Sequence, residues 1–476
     1  MAKTLKKQTI EGFGWRGATD ILEQVLQIVF TAILARLLSK ADFGLIAMAL
    51  LINRFFQTVT NIGFGGAIIR SQTVTREQIS AVFYIQLALN LVLSIIIFSG
   101  ANIAAGFFNE EKLVQIIRVT AWVIFLQTFQ FPNILLQKQM DFKRFSLMEI
   151  ISMVSANLLA ILLAFAGYGY WALVWRLLAQ RAVFSALTWG ITKWRPGKPD
   201  FKGTKPLLTF GLNMLGSNIF YYFSENLIGI ITGKFLGKEI MGLFNIAYNL
   251  AIVPASKVQN ILASVLMPGF AKIQGNIKSF VENNQKALKY TSLVFIPFMF
   301  LMAGISDNLI ITLYGLKWSD AGFMLFLLSF VGIMKGIAHL LRSAILAKGH
   351  AQVVFYAAII ETLSSIPIMY YTIKSMGIHG LISGYMTGSF FGLVYTIYSY
   401  NKLFEGKSFF IGTVSKPVLI GAALLSIAWL CSFIDAGHLL LLIIQVSSGL
   451  VLYVITVRFL YNIKLKEVIA EVKSHI

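Results

Sequence analysis

Eight basic residues stand inside stretches that otherwise read as soluble in hydrocarbon: Arg36, Arg54, Arg118, Arg176, Arg181, Lys257, Lys335 and Arg342. Four acids share that setting, Glu23, Glu149, Glu225 and Glu361. A charged side chain at mid-bilayer costs at least ~2.5–3.5 kcal/mol on insertion scales, so each needs a reason. Cations outnumber acids two to one where both are expensive, and such an excess suits an anion. Arginine donates two hydrogen bonds at once to a phosphate from its planar fork, whereas lysine supplies a point charge.

Spacing sorts these residues onto helix faces. Arg54, Gln57, Thr58, Asn61 and Gly65 follow i, i+3, i+4, i+7, i+11, one side of a helix. Asp20, Glu23, Gln24, Gln27 and Thr31 repeat that stripe, as do Asn218, Tyr222, Glu225, Gly229 and Thr232. Asn245, Asn249, Ser256, Asn260 and Ser264 form another, with Lys257 beside it. Lys335, His339 and Arg342 sit at i, i+4, i+7. Polar stripes avoid lipid, so these faces are expected to line a wet central cavity. The candidate cargo-binding residues are Arg54, Asn61, Arg176, Arg181, Lys257, Lys335, His339 and Arg342. Glu23 and Glu225 are the candidate carriers of a coupling proton or sodium ion. Plainer readings stand beside these. Arg36 and Arg118 lie near helix ends and can snorkel to the interface. Glu149 lies close to a loop, and Glu361 can pair with a base as a buried strut. His339 alone would be an ordinary core histidine.

The elements that carry these stripes follow from composition. The 476 residues are 57% hydrophobic and 13% charged, with a mean hydropathy of +0.76. A soluble domain carries about 25% charged residues, so most of this chain must have lipid as its solvent. Apolar runs of roughly 20 residues span a bilayer as helices, because each segment must satisfy its own backbone there. The expected fold is all-α integral membrane, with about fourteen helices at 19–38, 43–69, 78–100, 113–137, 146–167, 170–191, 206–234, 239–268, 287–310, 320–347, 351–373, 377–401, 411–434 and 438–461. Pro132, Pro254, Pro297 and Pro367 fall inside these spans, where each permits a bend.

Lysine and arginine set the orientation. With the N-terminus in the cytoplasm, 26 basic loop residues fall on the cytoplasmic side and 6 opposite. Both termini are therefore expected inside. The net charge of +20 is accounted for by this signal and by anionic headgroups, without nucleic acid. Residues 1–18 are basic but lack the apolar core of a cleavable leader. Cys431 is the only cysteine, which excludes disulfides and cysteine metal sites; no cofactor is implied.

An internal repeat organises the chain. Ala35–Leu45 aligns with Gly233–Leu243 at an offset of 198 residues, with Arg36/Lys234, Lys40/Lys238 and Gly44/Gly242 in register. Six helices separate the copies, so both halves insert the same way up, which implies two parallel lobes about an axis normal to the membrane. The expected domains are a cytoplasmic amphipathic segment 1–18, an N-lobe 19–191, a basic linker 192–205, a C-lobe 206–401, and two further helices with the C-terminus, 402–476.

The motif Ala-Arg-Leu-Leu-Ser-Lys-Ala-Asp-Phe-Gly-Leu-Ile-Ala-Met-Ala at 35–49, with Asn61-Ile-Gly-Phe-Gly-Gly-Ala-Ile-Ile69, resembles the opening of Wzx-type polysaccharide flippases. So do Gln137-Lys-Gln-Met-Asp-Phe-Lys-Arg144, Gly169-Tyr-Trp-Ala-Leu173, Trp194-Arg-Pro196 and Gly242-Leu-Phe-Asn-Ile-Ala-Tyr248. The resemblance covers roughly 10–410 and points to the colanic-acid and teichuronic-acid exporter branch of the multidrug/oligosaccharidyl-lipid/polysaccharide superfamily. It implies a bacterial inner-membrane, alternating-access flippase for an undecaprenyl-pyrophosphate-linked oligosaccharide, working beside other polysaccharide-assembly membrane proteins. These motifs lie at loops and helix ends, so no cavity residue is carried over from the family. A lipid II or multidrug exporter of the same fold is the first alternative, although a drug-cation exporter would need an acidic cavity. A membrane glycan polymerase or ligase is the second, and the short external loops carry no catalytic constellation for it.

Overall fold

Long apolar segments close their backbone hydrogen bonds internally, and the computed structural model is helical accordingly, with no strand among the described residues. Those residues are 2–60, 68, 75–201, 205–272, 277–404 and 409–461; side chains at 2–14, 16, 18, 202–218, 253–280, 405–411 and 461 are not among them. The helices are α1 (Ala2–Leu37), α2 (Lys40–Thr60), α3 (Arg76–Ser99), α4 (Ala101–Phe108), α5 (Lys112–Thr128), α6 (Asn133–Lys138), α7 (Phe142–Phe165), α8 (Tyr170–Thr192), α9 (Lys205–Lys272), α10 (Ile277–Gly304), α11 (Ser306–Tyr314), α12 (Ala321–Ala347), α13 (Ala351–Phe404), α14 (Phe409–Cys431) and α15 (His438–Tyr461).

Two of these are broken by glycine. Gly237 in α9 has φ 77° and Gly377 in α13 has φ 53°, a left-handed backbone that residues with a Cβ seldom adopt. Each break gives two arms. With the arms counted separately and the short α4, α6 and α11 set aside, fourteen long helical segments remain among the described residues, the number read from the sequence. Eight helices there are long and apolar enough to cross a membrane on length and composition alone.

Several ends differ from expectation. Helix α1 starts at Ala2 instead of 19, so the amphipathic segment and the first span are one rod. At 1.5 Å per residue its 36 residues extend roughly 54 Å, well beyond the ~30 Å of hydrocarbon. The fourth expected span divides: α5 stops at Thr128, and Pro132, which cannot donate to the turn before it, caps α6 instead of kinking a helix. Pro297 and Pro367 do lie within helices, as expected.

The outer surface is apolar. Ile103, Phe165, Tyr371, Phe433 and Phe459 are each at least 70% exposed, exposure that only lipid tolerates at this density. The chain divides into two compact units, Met1–Asn245 and Ile246–Ile476. The first arm of α9 therefore packs with the first unit, whereas the sequence reading grouped it with the C-lobe. Within unit 1, Phe83, Phe131 and Trp194 form an aromatic core with Ile68, Ile79 and Val82. Within unit 2, α10, α12 and α13 bury Phe295, Ile296, Met299, Leu341 and Ala344 among others.

The arms of α13 form an antiparallel pair held by small residues. Gly380, Gly384, Gly388 and Gly392 recur every fourth residue on the second arm, against Thr372, Met369, Ser365 and Glu361 of the first. A Cβ at Gly388 would collide with the Glu361 carbonyl. Without such glycines two backbones cannot approach this closely, the usual device for helix pairs in lipid.

Candidate anion and glycan site

The stripes on α2 and the first arm of α9 meet inside unit 1. Arg54, Gln57 and Thr58 from α2 and Tyr221, Tyr222, Glu225 and Asn226 from α9 line an open cavity of about 450 Å³, within the range of small-molecule sites. Local bonds fix its walls. Tyr222 donates its hydroxyl to the Leu51 carbonyl at 2.6 Å, and its ring meets Phe55 edge-on at 5.4 Å. Asn226 donates to the Tyr222 carbonyl at 2.9 Å. Thr58 bonds back to the Arg54 carbonyl at 3.0 Å. The Arg54 side chain is exposed. The cavity thus offers a guanidinium, a carboxylate, two phenols, two amides and a hydroxyl, a set suited to phosphate and sugar hydroxyls.

Unit 2 treats its cations differently. Lys335 Nζ lies 3.0 Å from Glu361 Oε1, and Arg342 Nη2 lies 3.3 Å from Glu361 Oε2. Side-chain exposure is 13% for Lys335, 14% for Arg342 and 6% for Glu361, so this is a buried triad. Ser389 donates to Glu361 Oε1 at 3.4 Å, and Arg342 Nε reaches Thr396 Oγ1 at 3.4 Å. The Lys335 ammonium also sits over the Tyr385 ring, 4.9 Å from its centroid. The sequence reading had Lys335 and Arg342 facing open water; in the structure both turn to one carboxylate, because an unpaired charge at that depth is costly. Glu361 is the strut its plainer reading described. His339, half-buried one turn from each cation, shares their face.

Arg176 and Arg181 brace unit 1. Arg176 Nη1 donates to Asn157 Oδ1 at 3.4 Å, tying α8 to α7. Arg181 Nη1 donates to Gln130 Oε1 at 3.1 Å, and Gln130 returns its Nε2 to the Arg181 carbonyl at 3.5 Å. Neither lines the α2–α9 cavity. Glu225 does, while Glu23 is half-buried on α1. Asn61 and the Lys257 side chain lie outside the described residues.

Two features escaped the sequence reading. One is the glycine track at 380, 384, 388 and 392, legible as four glycines at one spacing. The other is the pairing of Glu110 with Lys238 at 2.9 Å, across 128 residues, for which the sequence holds no signal.

A family profile described as polysaccharide biosynthesis protein matches residues 33–323. The chain belongs to that family. It is 28% identical over 451 residues to the teichuronic acid biosynthesis protein TuaB of Bacillus subtilis (strain 168), covering 90% of this chain and 89% of the relative. It is 24% identical over 447 residues to the lipopolysaccharide biosynthesis protein WzxC of Escherichia coli (strain K12), covering 92% and 90%. Among solved structures, the lipid II flippase MurJ in an inward closed conformation superposes with a TM-score of 0.77 at 16% identity, over 94% of this chain and 98% of the other. An inward-facing multidrug transporter of the MATE family gives 0.65 over 80% and 94%. The fold is theirs, and the Wzx-type family expected from the motifs is the one found. This is a multi-pass membrane protein of the polysaccharide biosynthesis family.

Proposed function

We propose that the chain is a flippase that moves an undecaprenyl-pyrophosphate-linked oligosaccharide from the cytoplasmic to the outer leaflet of a bacterial inner membrane. It does so by alternating access, with both termini in the cytoplasm. The observation that carries this reading is the α2–α9 cavity. Arg54 stands exposed there among Gln57, Tyr221, Tyr222 and Asn226, and that combination matches a cargo joining phosphate to sugar hydroxyls. Arg54 takes a phosphate or acidic sugar, and the amides and phenols take hydroxyls. Glu225 in the same cavity, with Glu23 on α1, is the candidate for coupling to a proton or sodium gradient. The lipid tail stays in the bilayer against the apolar exterior. Arg176, Arg181, Lys335 and Arg342 support this site by holding their units together, while His339, Asn61 and Lys257 remain candidates for cargo contact. Other membrane proteins of polysaccharide assembly are the expected neighbours.

Deletion of the gene followed by analysis of lipid-linked sugars tests the reading. Accumulation of one undecaprenyl-linked glycan on the cytoplasmic face, with loss of a surface polysaccharide and continued peptidoglycan synthesis, is the expected result. Arrest of peptidoglycan synthesis would assign lipid II as cargo instead. Elongation or transfer of a glycan by the purified protein alone would overturn transport.

A further inference from the structure

Helices α10 and α14 meet along one stripe each, and the stripes change character along their length. On α10, Glu282, Gln285, Lys286, Lys289 and Leu293 follow i, i+3, i+4, i+7, i+11. On α14, Thr413, Ile420 and Leu424 follow i, i+7, i+11. At depth the interface is dry and close-packed. Leu293, Ile420 and Leu424 are buried together with Val457 of α15. A Cβ at Gly421 would strike the Phe300 ring, and one at Gly304 would strike the Ala428 side chain. One turn before Leu293 the same interface opens. Glu282, Gln285, Lys286, Lys289 and Thr413 line a cavity of about 270 Å³ there, to which α14 brings only the short Thr413 side chain.

The pocket lies at headgroup level. The membrane-crossing stretch is Val281–Gly304 on α10 and Gly412–Cys431 on α14, so Glu282 and Thr413 stand in the first turn of each. Lys416 donates to the Leu460 carbonyl at 3.2 Å, and Asn284 donates to the Tyr400 hydroxyl at 2.8 Å. The ends of α15 and α13 therefore share this face, with Arg458 and Lys402 in their last turns. Basic residues collect on the cytoplasmic side, which matches the orientation proposed above.

Two ammonium groups against one carboxylate leave one positive charge, with an amide and a hydroxyl beside it. That balance suits the single negative charge of a phosphodiester better than a pyrophosphate. Next to the buried pair Leu293 and Ile420, Val294 is 63% exposed and Leu419 62%, so acyl chains run close to the pocket. Basic pockets between spanning helices on the cytoplasmic side bind anionic headgroups. We propose that the α10–α14 pocket binds an anionic phospholipid of that leaflet. Lys286 and Lys289 hold its phosphodiester, and Gln285 and Thr413 donate to its oxygens. The lipid bridges α10 and α14, and so fastens the last two helices to the rest of unit 2. Its lining is separate from that of the α2–α9 cavity, and the proposal needs no cargo assignment.

The test is thermal melting of the purified, delipidated full-length chain in mixed micelles of neutral detergent with graded phosphatidylglycerol. Phosphatidylglycerol should raise the melting temperature saturably. Lys286→Gln with Lys289→Gln should raise the half-effective lipid concentration about tenfold, the loss of one charged hydrogen bond, while melting in detergent alone stays unchanged. Glu282→Gln should lower that concentration, a gain that a misfolded variant would not show. Lys402→Gln, at the same face outside the pocket, should leave it unchanged. Equal shifts for Lys402→Gln and the double variant would mean diffuse surface charge and overturn the site. Equal protection by phosphatidylcholine or phosphatidylethanolamine would overturn the anionic assignment, and equal protection by millimolar inorganic phosphate would overturn the lipid. An unchanged lipid dependence in the double variant would overturn the pocket itself.

Discussion

Arg54 and Arg342 are both arginines on polar faces of helices that cross the membrane, yet they meet different surroundings. Arg54 stands exposed on a cavity wall among amides, phenols and one carboxylate. Arg342 and its neighbour Lys335 close on Glu361, 4% exposed, in a space bounded by Gly388 and Gly392. A Cβ at Gly392 would come within 3.2 Å of the Glu361 carboxylate and 3.4 Å of the Arg342 guanidinium. One region holds its cation where a ligand can reach it; the other consumes its cations in packing. A charge within a membrane is therefore a sign of function only where the fold leaves space beside it.

Mutations can break or sharpen that contrast. Arg54→Ala is expected to have the largest effect on transport, abolishing export while membrane levels stay normal, read as surface glycan against immunoblot signal. Loss of the protein itself would place Arg54 with the structural cations. Glu361→Ala should do the reverse. It leaves two buried cations without their carboxylate, a change that costs about 3–5 kcal/mol, visible as a lower melting temperature in detergent and reduced abundance. A joint replacement of Lys335, Glu361 and Arg342 by apolar residues of similar volume should recover much of that stability; no recovery would mean that the triad has a task beyond packing. Gly388→Leu forces apart the arms of α13 and should cost about 1–3 kcal/mol by overpacking, measured in the same melts. Arg181→Ala should be mildest, about 1.5 kcal/mol for one charged hydrogen bond, with export per molecule unchanged. Lower export per molecule there would return Arg181 to the cargo site.

The stripe on α2 was legible because helical spacing is fixed: Arg54, Gln57 and Thr58 had to share a face, and Tyr222 and Glu225 had to share another. Their meeting in one cavity was not: the repeat offset matches the first arm of α9 with α1 and α2 with the second arm of α9, and periodicity does not say which faces adjoin. Arg176 and Arg181 were read as cavity lining, since no rule of spacing reveals that Asn157 and Gln130 stand opposite them. The glycine track is present in the sequence as a four-residue period, but a glycine period alone does not say that a second backbone lies against it.

Composition determined that this chain lives in lipid, since 13% charge cannot cover a soluble surface of this size. Hydropathy determined the number of long helices, and the motifs at 35–45 and 242–248 determined the family. The tertiary structure decided which cations are paired. Pairing depends on distances between residues far apart in the chain, Glu361 with Lys335 and Glu110 with Lys238, and side-chain periodicity is blind to those. It also decided that Gly44 lies against the Lys238 carbonyl and Gly242 against the Lys40 carbonyl. A missing Cβ matters only where a second backbone comes close enough to fill its place.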